Sequence, residues 1–209
     1  MHHFSDVYKP KDYSKLKGLK GITDEQIAEH MKLYQGYCKR TGALLEKVSA
    51  MLSDGKTGDS SFQELKRRAG WEFNGMRLHE YYFDNMAPGG NGALDGSNSF
   101  GKIVTEQFGS IDAWKNDFMG VGKMPGIGWA ICYLDEVKGQ IINMWITEHD
   151  AGHPAGCKPL LVMDVFEHAF SVYRKPTERG PYLDDFYSNI DWDVVAARVE
   201  GKVHSLETA

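Results

Sequence analysis

The sequence predicts an α+β fold. A long antiparallel α-hairpin (residues 1–90) precedes an α/β domain (residues 91–209) in which helices surround a three-stranded antiparallel sheet. Three observations predict it. Two long stretches with apolar side chains at helical spacing are separated by the short polar break Lys56-Thr57-Gly58-Asp59-Ser60-Ser61, the pattern of an αα-hairpin. Two apolar runs, Gly128 to Leu134 and Gln140 to Ile146, flank Asp135-Glu136-Val137-Lys138-Gly139, which is a β-hairpin signal. A Gly-, Asn- and Ser-rich segment from Gly89 to Ser99 lies between the two regions, and the domain boundary falls there.

Taken in order, residues 1–22 are polar, carry scattered Lys and Pro10, and read as an irregular arm. The first helix begins at Thr23, which with Gln26 spells a capping box. Asp24 and Glu25 sit in the first turn, where the helix dipole favours anions. The periodic positions Ile27, His30, Tyr34, Tyr37, Leu44, Leu45, Val48 and Met51 carry it over some 30 residues. A second helix is expected from Phe62 to Met86, stopping at Ala87-Pro88-Gly89-Gly90. Shorter helices are expected from Ser99 to Phe108 and from Ile111 to Met119, the latter capped by Ser110 or Asp112. Pro159 to Met163 is a short apolar run that reads as a buried third strand ending at Asp164. Helices are then expected over Glu167 to Tyr173, Tyr182 to Tyr187 and Trp192 to Val203.

A chain of 209 residues, 42% hydrophobic and 12% aromatic, buries a substantial core. The formal charge of −5 gives no sign of a general nucleic-acid or membrane binder. No apolar run reaches the roughly 18 residues of a membrane span, and the N-terminus lacks the pattern of a secretory signal. Cys38, Cys132 and Cys157 are odd in number and lack CxxC spacing, so reduced thiols and a cytoplasmic location are expected.

The chemistry concentrates in Met163-Asp164-Val165-Phe166-Glu167-His168-Ala169-Phe170, where an aspartate and a histidine four apart are set among apolar residues. A buried charge survives only when paired or bound to a metal, so Asp164 needs a cation or a hydrogen-bond donor. The histidines that fall within expected elements are His30, His79 and His168, with His149 at the end of the second hairpin strand. Each taken singly reads more readily as a surface or hydrogen-bonded histidine than as a ligand. With Asp164, the first three form a His₃Asp set whose imidazole and carboxylate donors suit Fe, Mn or Zn.

Asp164-Val165-Phe166-Glu167-His168-Ala169-Phe170 resembles the closing signature of the iron/manganese superoxide dismutases, an Asp followed by V-W-E-H-A-Y. Asn74-Gly75-Met76-Arg77-Leu78-His79, with Asn85-Met86-Ala87-Pro88 behind it, is similar to that family's second-helix signature. Phe108-Gly109-Ser110 to Trp114, Gly128-Trp129-Ala130 and Asp191-Trp192-Asp193 also look like the family, so the resemblance runs through nearly the whole chain. It implies that His30, His79, Asp164 and His168 hold one Fe or Mn ion per subunit, iron favoured, with a solvent molecule as fifth ligand and the site between the two domains. It also implies an antioxidant enzyme that converts superoxide to dioxygen and hydrogen peroxide. Trp129, Phe166 and Tyr34 would surround the ligands, Phe166 standing where the family has Trp. Glu167 would bridge to the metal-binding histidine of a second subunit, giving a homodimer or a tetramer. His149 stands where many manganese members have a glutamine that tunes the metal.

The departures lie in the first helix. The family reads His, a second His four later and a Tyr eight later. Counting from His30 places Tyr34 and Cys38 at those positions, yet Gln35-Gly36-Tyr37 resembles the sequence around the gate tyrosine. The expectation is that a π-type bulge has been lost and that Tyr37, seven residues on, faces His30's side as gate and proton donor. Ser171 replaces a tyrosine expected to meet the second His across the dimer, and Met76 and His149 occupy the two glutamine positions that sort members by metal. Lys32, Arg40 and Arg174 are candidate anion-steering charges. Two other readings stay open: a dismutase-like binding or structural module without turnover, and a zinc hydrolase using the same ligands.

Overall fold

The computed structural model describes residues 4–201. Among them lie helices α1 (Phe4–Val7), α2 (Asp24–Ser53), α3 (Ser60–Asp84), α4 (Ser99–Phe108), α5 (Ile111–Gly122), α6 (Arg179–Tyr187) and α7 (Trp192–Val199), and strands β1 (Gly128–Asp135), β2 (Gln140–Thr147) and β3 (Cys157–Asp164). The α+β class and the three-stranded antiparallel sheet are as the sequence predicts.

Helix α2 is 30 residues long and starts where Thr23 Oγ1 accepts a hydrogen bond from Gln26 N at 3.1 Å. Only this half of the capping box forms, because the Gln26 amide is engaged elsewhere. Asp59 caps α3 by accepting from Ser61 N, and the helix spans two residues earlier at each end than its sequence pattern suggests. The hairpin is antiparallel: Arg40 meets Glu72, Tyr37 meets Gly75, Tyr34 meets Glu80, and His30 meets Phe83. The arm before α2 is more than a loose lead-in. It contains α1, buries Tyr13, Leu16, Leu19 and Ile22, and is pinned where Tyr13 Oη donates to Asp84 Oδ1 at 2.8 Å.

The sheet order is β2-β1-β3, so the long hairpin pairs β1 with β2 and β3 returns on the other side of β1. β1 is the central strand and is buried except at Asp135. Trp129 stands opposite Asp164 on β3 and Ile146 on β2. Pairing shifts between Cys132, opposite Leu161, and Tyr133, opposite Pro159, leaving Leu160 as the extra residue of a bulge. A proline without an N–H is tolerated at such a bulge on an edge strand. α4, α5 and α7 cover the sheet, and α3 packs against β3, which carries His79 to the end of the strand that holds Asp164. Ser110, rather than Asp112, caps α5. One connected hydrophobic core runs through both halves.

Two expected helices differ. α7 ends at Val199, and the last two positions of its expected span lie outside the described residues. The expected helix from Glu167 to Tyr173 is only a 3₁₀ turn, Glu167–Ala169, followed by further turns. Its physical reason is an insertion. In an α-helix the Val172 N–H would bond the His168 carbonyl, but the Gln26 side chain stands between them, accepting from Val172 N at 3.0 Å and donating from Nε2 to His168 O at 2.6 Å. A side chain inserted into the ladder breaks a helix.

The segment after α3 is locked by Asn85, fully buried, whose Nδ2 donates to Val162 O at 2.6 Å and whose Oδ1 accepts from Arg198 Nη1. Replacing Asn85 with Ala strands a carbonyl and part of a buried guanidinium. The expected loss is roughly 2–4 kcal/mol, read from urea unfolding at fixed protein concentration.

Candidate metal centre

Each ligand candidate is placed by a different constraint. His30 lies on the buried face of α2, one turn after Gln26, and His79 lies on the facing side of α3. Asp164 ends β3, where Tyr182 Oη donates to its backbone carbonyl at 2.7 Å and its Oδ1 accepts from Phe166 N at 2.8 Å. That leaves Oδ2 free to face the histidines. It lies 3.1 Å from His30 Nε2, 3.1 Å from His168 Nε2 and 3.7 Å from His79 Nε2. One ligand atom from each of the four residues falls within 4.8 Å of the others.

The three separations from Asp164 Oδ2 fit donors around a single ion. Atoms about 2.1 Å from a common centre are about 3.0 Å apart at right angles and about 3.6 Å apart at 120°. His79 carries a second sign: Nδ1 donates to Gly75 O at 2.5 Å, which fixes the proton there, while the buried Nε2 has no hydrogen-bond partner among the described residues. A backbone carbonyl that holds one imidazole nitrogen and frees the other is how proteins orient a metal-binding histidine. Burial holds His30 and His79 below the ordinary histidine range, so both stay neutral with lone pairs available. Burial alone would raise Asp164, yet the His168 and His30 rings hold it well below the usual carboxylate range, as an anion.

An aromatic wall encloses the cluster. Trp129 meets His79 edge-on at 5.0 Å between centroids. Phe166 stacks between His168 at 4.9 Å and His149 at 5.0 Å. Tyr37 lies 5.2 Å from His79, and its hydroxyl is 2.7 Å from His149 Nε2. α2 is regular throughout, so the seven-residue step from His30 returns Tyr37 to the same face. Cys38 instead packs behind, buried, its thiol pushed up to about 11 by burial. Tyr34 is not brought to the cluster: its hydroxyl donates to Glu80 Oε1 and accepts from Lys11 N, and its ring approaches the histidines only through Phe83. His149 lies two residues beyond β2, in a turn rather than in the strand.

Trp129 fixes the state of His149. An indole N–H can only donate, and Trp129 Nε1 is 3.1 Å from His149 Nδ1, so Nδ1 accepts and the proton of the neutral ring sits on Nε2. Nε2–H therefore donates to Tyr37 Oη, and the Tyr37 hydroxyl proton is left for another acceptor. Burial lowers His149 to about 4 and raises Tyr37 to about 12, so near neutral pH the imidazole is uncharged and the phenol protonated.

Sequence reasoning missed the outer support. Trp71 lies 4.5 Å from His149 and donates from Nε1 to Glu148 Oε2 at 3.0 Å, steadying a turn in which Glu148 has φ 53°, a left-handed conformation rare for this residue type. Glu72, nearly buried, pairs with Arg40 and Arg68, which lie over the Tyr37 and Trp71 rings. Arg40 is thus the one candidate steering charge beside Tyr37; Lys32 pairs with Glu29 and Arg174 with Asp185. Gly75 was a legible signal, since glycine inside a helix costs about 1 kcal/mol and asks for a reason. Its reason is the Tyr37 ring, whose atoms would lie 2.6 and 2.7 Å from an added Cβ.

A buried three-histidine, one-aspartate cluster that fits a single Fe or Mn ion, seated where a helical hairpin meets a small antiparallel sheet, defines a mononuclear metalloprotein class. Residues 96–198 match the family model for iron/manganese superoxide dismutases, C-terminal domain. The chain is 35% identical over 204 residues to the superoxide dismutase [Fe] of Aquifex pyrophilus, covering 95% of this chain and 94% of that one. It is 30% identical to the superoxide dismutase [Fe] of Sulfolobus acidocaldarius, over 87% of this chain and 85% of the relative. It is 32% identical to superoxide dismutase [Mn] 2 of Haloferax volcanii, over 85% and 86%. The chain belongs to the iron/manganese superoxide dismutase family.

The neutral histidines give a pH prediction. A histidine whose folded-state affinity for protons is depressed stabilises the fold fully above its unfolded value near 6.5 and loses that contribution as pH falls. The thermal stability of metal-free protein is expected to fall progressively between pH 6.5 and about 4, the folded value for His149, read as a falling unfolding temperature. Gly75→Ala tests the close approach: overpacking is expected to cost about 1–3 kcal/mol in thermal unfolding and to move Tyr37 off His149.

Proposed function

We propose that this chain is a superoxide dismutase, taking two superoxide anions and two protons to dioxygen and hydrogen peroxide. The observation that carries the reading is the convergence of three imidazoles on the Asp164 carboxylate beside a Tyr37–His149–Trp129 hydrogen-bonded line. His30, His79, Asp164 and His168 would hold one iron or manganese ion, which supplies one-electron redox chemistry when bound. Names among the relatives include both metals, and iron is our preference. Three neutral imidazoles and one carboxylate offset only one unit of a trivalent ion's charge. The pocket therefore remains positive toward an anionic substrate although the chain as a whole is acidic.

The protein's own part is to deliver protons and exclude bulk water. Tyr37 offers its hydroxyl proton toward the cluster because His149 already donates to its oxygen. His149 holds that phenol in place and is itself oriented by Trp129 and Trp71. Phe166 and Trp129 close the sides. Tyr34, whose hydroxyl is turned to Glu80, supports the helix pair.

The same reading includes the two-domain division at residue 90, with the site between the domains, and a cytoplasmic homodimer. Three unpaired thiols suit a reducing compartment, and no helix of the described residues is long and apolar enough to cross a membrane. His168 is the one ligand with exposed side-chain surface, 27%, and the exposed Glu167 lies beside it, as a second subunit's bridging contact requires.

Protein grown with each metal is expected to contain about one Fe or Mn per chain and to dismutate superoxide; a folded protein that binds neither and shows no activity would establish the non-catalytic module instead. Tyr37→Phe is expected to retain metal and lose roughly 10²-fold in the proton-dependent rate. Glu167→Ala is expected to shift sedimentation toward monomer.

A further inference from the structure

Gln26 is fully buried in the first turn of α2, yet its side-chain amide bonds away from that helix. Its amide spans to a segment more than 140 residues away and meets two backbone groups there: Nε2 donates to His168 O at 2.6 Å, and Oε1 accepts from Val172 N at 3.0 Å. Those two groups would otherwise pair with each other as one α-helical hydrogen bond. Around them the chain does bond locally: Ala169 N donates to Phe166 O, Ser171 N to Glu167 O and Arg174 N to Phe170 O. The wedge acts at a single rung, and that rung belongs to a ligand candidate.

We infer that Gln26 is a positioning residue for the metal centre, holding open the turn that carries His168 and thereby setting that imidazole's place relative to His30. The inference rests on reading the His₃Asp cluster as a metal site. Its mechanism is geometric. His168 Nε2 and His30 Nε2 each lie 3.1 Å from Asp164 Oδ2, and both ends of that arrangement trace to α2. His30 rides on the helix directly, one turn beyond Gln26, while His168 is held by its own carbonyl to the same turn. One rigid helix end therefore carries one ligand and fixes the backbone of another. Burial makes the contact selective, because only a side chain with a donor and an acceptor can satisfy both stranded groups at once.

Removing the wedge lets Val172 N–H close onto His168 O, which tightens the turn into α-helical form and shifts the His168 ring. Gln26→Met keeps the length and apolar bulk and removes both hydrogen bonds. Gln26→Glu keeps the acceptor for Val172 and faces the His168 carbonyl with an oxygen. Ile27→Val, in the same turn and equally buried, is the control for plain loss of packing.

Each protein is loaded with iron alone. Iron affinity is followed by chelator competition, and the ligand field by the electron paramagnetic resonance spectrum of the ferric form, with thermal unfolding measured alongside. The expected result is a changed ferric spectrum and an affinity lower by about 10–100-fold in Gln26→Met, with Ile27→Val altered only in unfolding temperature. Should Gln26→Met fail to fold, the same readings on Gln26→Glu decide the matter. Variants that match wild type in spectrum and affinity and lose only thermal stability overturn the inference. Wild-type protein that takes up no iron or manganese removes the metal reading itself, and this inference with it.

Discussion

Stripping a carboxylate of water costs several kcal/mol unless other groups replace the water, and Asp164 is stripped completely. The surrounding architecture follows from that constraint. β3 delivers the side chain, Phe166 N and Tyr182 Oη occupy one oxygen and the backbone carbonyl, and three imidazoles gather at the other oxygen. His30 and His79 are neutral because they too are buried, so a cation suits the centre better than a proton on either ring does. The long helix pair provides two of those rings with enough packing behind them to keep the cluster dry.

Much of this was legible in the order of residues. The apolar periodicity of α2 and α3, the polar break between them and the hairpin signal around Asp135 report local rules, and local rules survive folding. The four ligand candidates were found because a charged residue at the apolar end of a strand asks for partners, and because the neighbouring motif resembles a known family. What escaped is what depends on contact across the chain. The turn after His168 looks helical from Glu167 onward, but a glutamine from α2 is inserted into one of its rungs. Tyr34 was grouped with the residues around the ligands, while Lys11 and Glu80, invisible as partners in the sequence, turn its hydroxyl away. Trp71 carried no pattern at all. Gly75 did, as an unexplained glycine in a helix interior.

The two layers around the ligands divide the labour differently from how their chemistry suggests. Trp129, an aromatic wall residue, decides a protonation state, because an indole can only give a hydrogen bond and so assigns the tautomer of His149. Glu72, a buried acid near the site, reacts with nothing; it pairs with Arg40 and Arg68, the two guanidiniums that lie over the outermost rings.

The regular α-helical path between His30 and Tyr37 ties the site to chain length in a way that side-chain identity does not. Seven residues bring the phenol back to the histidine's face, while adding or deleting one would swing it by about 100° around the helix. Substitutions along α2 can drift freely on its outer side, but an insertion there must be swallowed by a local widening of the helix or compensated on α3. The loss of one residue between histidine and tyrosine, with the loss of a bulge, is such a compensation made within a single helix.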